Sequence, residues 1–307
     1  MLQLLRILRI CMQLNKKGSS LANLVWRNLP CRRGALHMLR RLGRPSAYKR
    51  LYFEGPFQVP IDGQHSFAIH QNNRYGIETE LFWRGLEEGW ESASINVWIK
   101  LCQYAQVILD IGAAEGLYTL VTGSIRPEAC LLAFEPVPQS AVELRRNLAI
   151  NESGARCFQT AVSDYEGEAL FIQPSAHSNE GYLAQSAAQG AGITVQVTTV
   201  ERIFQREQLR RLDLLKIDVE GAEPEVLMGM GSLLARFKPS MLIEVLSDEA
   251  GHEIERQIEG LGYLFFDIND DNRNGPCDLR RVDHIRKGRC LNYLLVQPEI
   301  ARQIGIG

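Results

Sequence analysis

Short apolar runs recur along the chain at Val107 to Ile111, Leu131 to Phe134, Ala155 to Val162, Leu212 to Ile217 and Met241 to Leu246. Runs of this length, bounded by turn residues, read as strands buried on both faces, the pattern of a parallel sheet. The sequence between and around them fits helices at Ser92 to Gln103, Gln139 to Ile150, Pro224 to Ala235 and Asp248 to Glu259. Pro224 suits a first helical turn, where its missing N–H costs nothing. Alternation of strands and helices at these intervals predicts an α/β, three-layer, doubly wound sheet. Two later runs, Tyr263 to Ile268 and Asn292 to Val296, flank the loop-like Asn269 to Gly275 and predict an antiparallel edge that completes seven strands.

The remaining sequence divides into three other patterns. From Gly55 to Trp90, short strand-like pieces with turn signals (Phe57 to Pro60, Asp62-Gly63, Ser66 to His70) precede a polar segment containing Glu78 and Glu80, which predicts a small β subdomain. The Ser-, Ala-, Gly- and Gln-rich stretch Pro174 to Gly192 is long enough to be expected as a lid or insertion rather than a core connection. On a helical projection of Met1 to Lys17, Gln3, Arg6, Arg9, Gln13, Lys16 and Lys17 share one face, and Leu4, Leu5, Leu8, Cys11 and Met12 the other. That is a basic amphipathic helix. The boundaries expected are 1–53 for the arm, 54–100 for the β and helical subdomain and 101–307 for the main domain.

Charge sharpens the division. The formal net charge is −2, yet residues 1 to 53 hold twelve of the 34 Lys and Arg and none of the 36 acids, so 22 basic residues face 36 acidic ones in the body. The arm is expected to reach an anionic membrane surface through residues 1–50, or equally to pack on the acidic body or on a second subunit as a homo-oligomer; nucleic acid is not the expected partner. The seven cysteines are scattered, without a C-x-x-C pair, so neither a zinc ribbon nor a disulfide framework is indicated. That usage fits a reducing cytoplasm, with the arm at the inner membrane face. No membrane span or signal peptide is read in the sequence.

Three strand ends carry candidate chemistry. Val107-Ile-Leu-Asp110-Ile-Gly112-Ala113-Ala114-Glu115-Gly116 places an acid and a glycine turn where backbone amides can approach a ligand. Its spacing differs from the G-x-G-x-x-G dinucleotide fingerprint, which disfavours NAD. Leu131-Leu-Ala-Phe-Glu135-Pro136 ends in a carboxylate suited to accept hydrogen bonds from both hydroxyls of a ribose. Lys216-Ile-Asp218-Val-Glu220-Gly221-Ala-Glu223 puts three carboxylates and an ammonium where a strand meets a helix, the ligand edge of open α/β sheets.

Asp110 to Thr119, Ala133 to Pro136, Ala161-Val-Ser-Asp164-x-x-Gly167, Lys216 to Glu223 and Ile243-Glu244-Val resemble, in order and spacing, the FkbM family of S-adenosylmethionine-dependent methyltransferases over about residues 100 to 296. The family usually has Asn where this chain has Ala114. The resemblance implies a Rossmann-like class I methyltransferase fold. Gly112, Ala113, Ala114 and Gly116 would lie near the methionine moiety, Glu135 and Pro136 at the ribose, and Ala161 to Asp164 near the adenine. Tyr118 fits the family pattern, although an aromatic at a helix start is more often core. Asn292 resembles a family asparagine near the last strand.

Methyl transfer from a sulfonium is an in-line displacement, and a hydroxyl acceptor must lose its proton. Asp218 is the first candidate for acceptor binding or general base, with Glu220 its partner on the same side of an extended strand and Lys216 a charge that keeps the carboxylates ionised. Glu223, Glu244, Ser178 and Asn292 are candidates for substrate contact; Glu223 has an alternative role at its helix N-terminus, and His177 in the polar stretch is expected as a solvated loop histidine, with substrate contact the alternative. A metal shared by Asp218, Glu220 and Glu244 is chemically conceivable, but nothing in the spacing demands one, and none is assigned. The expected acceptor is a hydroxyl on a sugar, glycan, lipid-linked saccharide or polyketide-type metabolite. Two other classes stay open: a binding or scaffold protein that keeps the fold without turnover, motivated by Ala114, and a nicotinamide oxidoreductase.

Overall fold

The computed structural model describes Gly34, Leu36, Arg40 and residues 53–72, 76–172, 182–184, 192–270, 278–287 and 291–306. The expected helix Met1 to Lys17 and the candidates His177 and Ser178 lie outside the described residues. The chain divides into two compact units, Met1–Pro60 with Ala68–Trp90, and Ile61–Phe67 with Glu91–Gly307. Among the described residues no helix is long and apolar enough to cross a membrane.

In the first unit, β1 (Glu54–Pro60) and β2 (Ser66–Asn72) form a two-stranded sheet, followed by α1 (Ile77–Arg84). Phe53, Phe57 and Phe82 meet edge to face at centroid separations of 5.0 to 5.9 Å. The polar segment around Glu78 and Glu80 is thus a helix: its two acids stand in the first turn, where they complement the helix dipole, and Leu81, Phe82 and Trp83 supply the buried face.

The second unit contains β3 (Val107–Ile111), β4 (Cys130–Phe134), β5 (Arg156–Phe158), β10 (Leu214–Ile217), β11 (Ser240–Glu244), β12 (Leu264–Asn269), β13 (Asp278–Val282) and β14 (Asn292–Val296). They form one sheet in the order β13-β12-β14-β11-β10-β3-β4-β5, parallel from β11 to β5 and antiparallel from β11 to β13. The seven expected strands are present in a class I methyltransferase arrangement, and β13 adds an eighth at the edge. Its mostly exposed Asp-Leu-Arg-Arg-Val sequence lacks the apolar run that announces a central strand.

A second sheet, with order β6-β9-β7-β8, contains β6 (Ala161–Val162), β7 (Gly167–Ile172), β8 (Tyr182–Ala184) and β9 (Gly192–Thr198). The single strand expected over Ala155 to Val162 is therefore two, β5 and β6, belonging to different sheets. The predicted insertion holds part of this second sheet: β8 lies inside it and pairs with β7.

The helices of this unit are α2 (Ser92–Cys102), α3 (Leu117–Ile125), α4 (Pro138–Ile150), α5 (Val200–Arg206), α6 (Glu223–Met228), α7 (Ser232–Phe237), α8 (Asp248–Ile258) and α9 (Pro298–Gln303). The one helix expected over Pro224 to Ala235 is broken into α6 and α7 at Gly229-Met230-Gly231. A Cβ on Gly229 would lie 2.1 Å from the Ser163 carbonyl oxygen, so the break allows a close approach that a side chain would prevent. Leu109, Ile111, Leu215, Ile217, Met241 and Ile243 from the central strands pack with Val226, Leu227 and Met230 in the main core. Truncating one of these to Ala costs about 2–5 kcal/mol, because the surroundings only partly collapse into the cavity.

Candidate active site

The chain runs outward from β3 through β4 to β5, then returns to place β10 and β11 on the other side of β3. The strand order therefore reverses between β3 and β10, and the loops leaving their C-terminal ends diverge around a crevice. From β3 come Gly112 and Gly116, at φ +80° and +94°, with Ala114 between them at +46°. The turn is tied to β4: the amides of Gly112 and Ala113 donate to the Phe134 carbonyl at 2.9 and 3.0 Å. Asn147 of α4 adds a bond from Nδ2 to the Glu115 carbonyl at 2.9 Å.

Glu135 closes the other side of this turn. Its Oε2 accepts from the Ala114 amide at 2.9 Å and its Oε1 from the Val137 amide at 2.8 Å, with Pro136 between. Each carboxylate oxygen retains a second accepting direction, the requirement for binding paired hydroxyls. Burial pushes its pKa up to about 7 against the pull of those two amides. Asp110 is turned inward, where Oδ2 accepts from the Thr119 hydroxyl at 2.5 Å; it pins α3 behind the glycine turn. Burial raises it to about 6.

On β10, Lys216 is 1% exposed and its Nζ donates to Asp218 Oδ2 at 2.9 Å. The Asp218 side chain, 29% exposed, is the part of the pair that reaches open space. Burial alone would push the Lys216 pKa down, but Asp218, Glu91 and Glu244 outweigh it and hold the ammonium charged. The expectation that Glu220 shares a side with Asp218 in extended geometry needs correction. β10 ends at Ile217, the Asp218 amide makes a last bond to the Ile111 carbonyl at 3.0 Å, and Glu220 (φ +59°) and Gly221 (φ +102°) then bend the chain in left-handed conformations. Glu223 belongs to that bend rather than to substrate contact: it is 0% exposed, and its Oε1 accepts from the Val219 and Gly221 amides at 3.1 and 3.0 Å.

Glu91, Trp98 and Asp270, none singled out in the sequence, complete the cluster. Tyr118 of α3 donates its hydroxyl to Glu91 Oε2 at 2.6 Å, while its ring receives Lys216 Nζ at 5.1 Å from the centroid and the Trp98 ring edge-on at 5.3 Å. Glu91 sits at the N-cap of α2 in a left-handed conformation. The amides of Ala93 and Ser94 donate to Asp270 Oδ1 at 2.9 and 3.0 Å, and the Ser94 hydroxyl to its Oδ2 at 2.5 Å. Asn292, in register with Glu244 across β14 and β11, donates from Nδ2 to Asp270 Oδ2 at 3.3 Å. It is 4% exposed, and its Oδ1 has no partner. Asp270 follows β12 in a polar run that reads as an ordinary loop, and only its return to α2 makes it a capping group.

Burial is the largest influence on Glu244, whose carboxyl is pushed up to about 9 with help from Asp218 and Glu220. Burial and Asp218 likewise raise Glu91, against Lys216. The remaining candidates lie apart: Ala161 is buried in β6, and exposed Asp164 accepts from the Ser163 hydroxyl at 3.2 Å.

Two acidic strand ends and a glycine turn around one crevice agree with the comparison to known proteins. The family model described as "Methyltransferase FkbM domain" matches residues 110–265. "Methyltransferase sdnD" of Sordaria araneosa is 30% identical over 48% of this chain and 74% of its own length. "2-O-methyltransferase NoeI" of Sinorhizobium fredii is 30% identical over 40% of this chain and 56% of its own. "31-O-demethyl-FK506 methyltransferase FkbM" of Streptomyces tacrolimicus is 28% identical over 40% of this chain, so the chain spans 59% of that relative. The matched segment begins at Asp110 and runs through the glycine turn, Glu135, Asp218 and Glu244, and the chain belongs to the FkbM methyltransferase family.

Proposed function

We propose that this protein transfers a methyl group from S-adenosylmethionine to a hydroxyl of a sugar, glycan, lipid-linked saccharide or polyketide-type acceptor, with Asp218 taking the hydroxyl proton. The observation that carries this reading is the Lys216–Asp218 pair: a buried ammonium at 2.9 Å orients a carboxylate whose other face is open, next to the glycine turn. The chain's own groups fit the cofactor. The positive-φ glycines at 112 and 116 let the turn pack against the Asp218 backbone and the Leu144 side chain, where a Cβ would collide, and Glu135 keeps two accepting directions for a ribose.

When bound, the cofactor supplies an electrophilic methyl on a sulfonium. The protein's work is then alignment and proton management. Asp218 would accept the proton that the acceptor hydroxyl loses as its oxygen takes the methyl and the carbon–sulfur bond breaks, its electron pair staying on the departing thioether, and Lys216 would keep that carboxylate oriented. Two relatives whose names specify O-methylation support a hydroxyl acceptor.

Calorimetric titration with S-adenosylmethionine and S-adenosylhomocysteine tests the cofactor part. Wild type and Asp218→Asn are expected to bind, and Glu135→Ala to lose binding. An acceptor screen with labelled cofactor tests the rest: transfer is expected in wild type and absent in Asp218→Asn. Full transfer in Asp218→Asn would count against its role as base.

A further inference from the structure

Lys216 is a long, flexible side chain, almost wholly buried, whose ammonium carries three donors. One of them goes to Asp218 Oδ2 at 2.9 Å. Toward α3 the ammonium stands over the Tyr118 ring, 5.1 Å from its centroid and within the range of a cation–π contact. The ring is itself fixed at three points. Its hydroxyl donates to Glu91 Oε2 at 2.6 Å, and Trp98 packs against it at 5.3 Å and 89°. Trp98 Nε1 donates to the Thr122 hydroxyl at 2.8 Å, and that hydroxyl donates to the Tyr118 carbonyl at 2.8 Å, which closes a loop of contacts between α2 and α3. Tyr118, Trp98 and Thr122 are all buried.

We infer that Tyr118 is a positioning residue: the face of its ring holds the Lys216 ammonium on Asp218, and Glu91 and Trp98 hold the ring. The inference rests on the reading of Asp218 as the group that takes the acceptor's proton, and deepens it. A carboxylate in place of the ring would compete with Asp218 for the ammonium. The negative face of an aromatic ring attracts the same charge less strongly and takes no proton from it, so the hydrogen bond to Asp218 stays the dominant one. With Oδ2 held in this way, the exposed part of the Asp218 carboxylate keeps one orientation toward the crevice. That matters because small displacements of a group that must meet a reacting proton cost rate steeply. The Tyr118 hydroxyl is occupied by Glu91, so the residue acts on the reaction through Lys216.

The test compares side chains of nearly one shape at position 118 in the full chain. Tyr118→Phe keeps the ring face and removes the bond to Glu91. The same substitution made with a trifluorinated phenylalanine keeps the shape but cancels most of the negative face of the ring. Nuclear magnetic resonance of ligand-free protein, labelled at lysine Nζ, reads how fast the buried Lys216 ammonium protons exchange with water. Exchange is expected to be modestly faster than wild type in Tyr118→Phe, and faster again by about tenfold in the fluorinated variant, the weight of a largely desolvated cation–π contact. Both variants should bind S-adenosylmethionine with affinity close to wild type in calorimetry. With an acceptor from the screen above, kcat should fall in the same order while KM for S-adenosylmethionine holds. Equal exchange in the two ring variants would overturn the inference, since a merely structural role depends on shape alone. Loss of cofactor binding in both would overturn it too, and would put Tyr118 at the cofactor instead. Failure of wild type to bind S-adenosylmethionine and S-adenosylhomocysteine would overturn the cofactor reading on which the inference rests, a result separate from the exchange series because that series is recorded without ligand.

Discussion

Gly112 and Asp218 approach so closely that a Cβ on Gly112 would lie 1.7 Å from the Asp218 carbonyl oxygen. The contact joins the glycine turn of β3 to the turn after β10, so the two halves of the crevice are positioned against each other by backbone rather than by side chains. Gly112 also needs φ +80°, which adds strain for any L side chain. Gly112→Ala is expected to cost at least about 2 kcal/mol of stability and to abolish binding of S-adenosylmethionine. Thermal unfolding and calorimetry measure the two effects separately.

Ala114 occupies a left-handed conformation at φ +46°, where Asn and Gly are better tolerated than Ala. Ala114→Asn and Ala114→Gly should each stabilise the turn, by up to about 1 kcal/mol, provided the amide to Glu135 is kept. Asn is expected to raise cofactor affinity as well. Equal or lower melting temperatures for both variants would contradict this account of the strain.

The raised carboxyl of Glu244 has a consequence for stability. A carboxyl whose folded pKa, here about 9, lies above its unfolded value contributes most below the unfolded value, and that contribution is lost as pH rises toward the folded one. Glu244→Gln removes the dependence while keeping the shape. Its stability should equal that of wild type near pH 4 and exceed it at pH 8 by up to about 5 kcal/mol, roughly 1.4 for each pH unit above the unfolded value, so its melting temperature should be the higher there. Melting curves of both proteins across that range decide the sign.

Lys216→Met leaves Asp218 and its neighbours without their buried countercharge. The expected destabilisation at pH 7.5 is about 3–5 kcal/mol. Lowering the pH to about 5 should recover part of it, because protonation relieves the repulsion among the carboxylates. A loss that is independent of pH would indicate a packing defect instead.

Much of the site was legible because its chemistry lies at strand ends, and the apolar runs that announce β3, β4, β10 and β11 also mark where those ends fall. Asp110, Gly112, Glu135, Lys216 and Asp218 were found that way. Glu91 was not: it lies in the run Glu87-Glu-Gly-Trp-Glu91, which reads as a solvated loop. Its hydrogen-bond partner is Tyr118, 27 residues away, and the helix it heads is capped by Asp270, 177 residues beyond Ala93. Glu220 was misjudged because extended alternation holds only while the strand lasts, and two left-handed residues end it.

The sequence by itself determined the α/β class, the parallel central strands and the acid at each strand end, since local periodicity and turn chemistry set these. Only the tertiary structure decided that Glu223 serves a turn, that Glu91 meets Tyr118, and that the buried Lys216 ammonium lies between Asp218 and the Tyr118 ring. Those outcomes follow from long-range packing and desolvation, which depend on what surrounds a carboxylate rather than on the residues beside it in the chain.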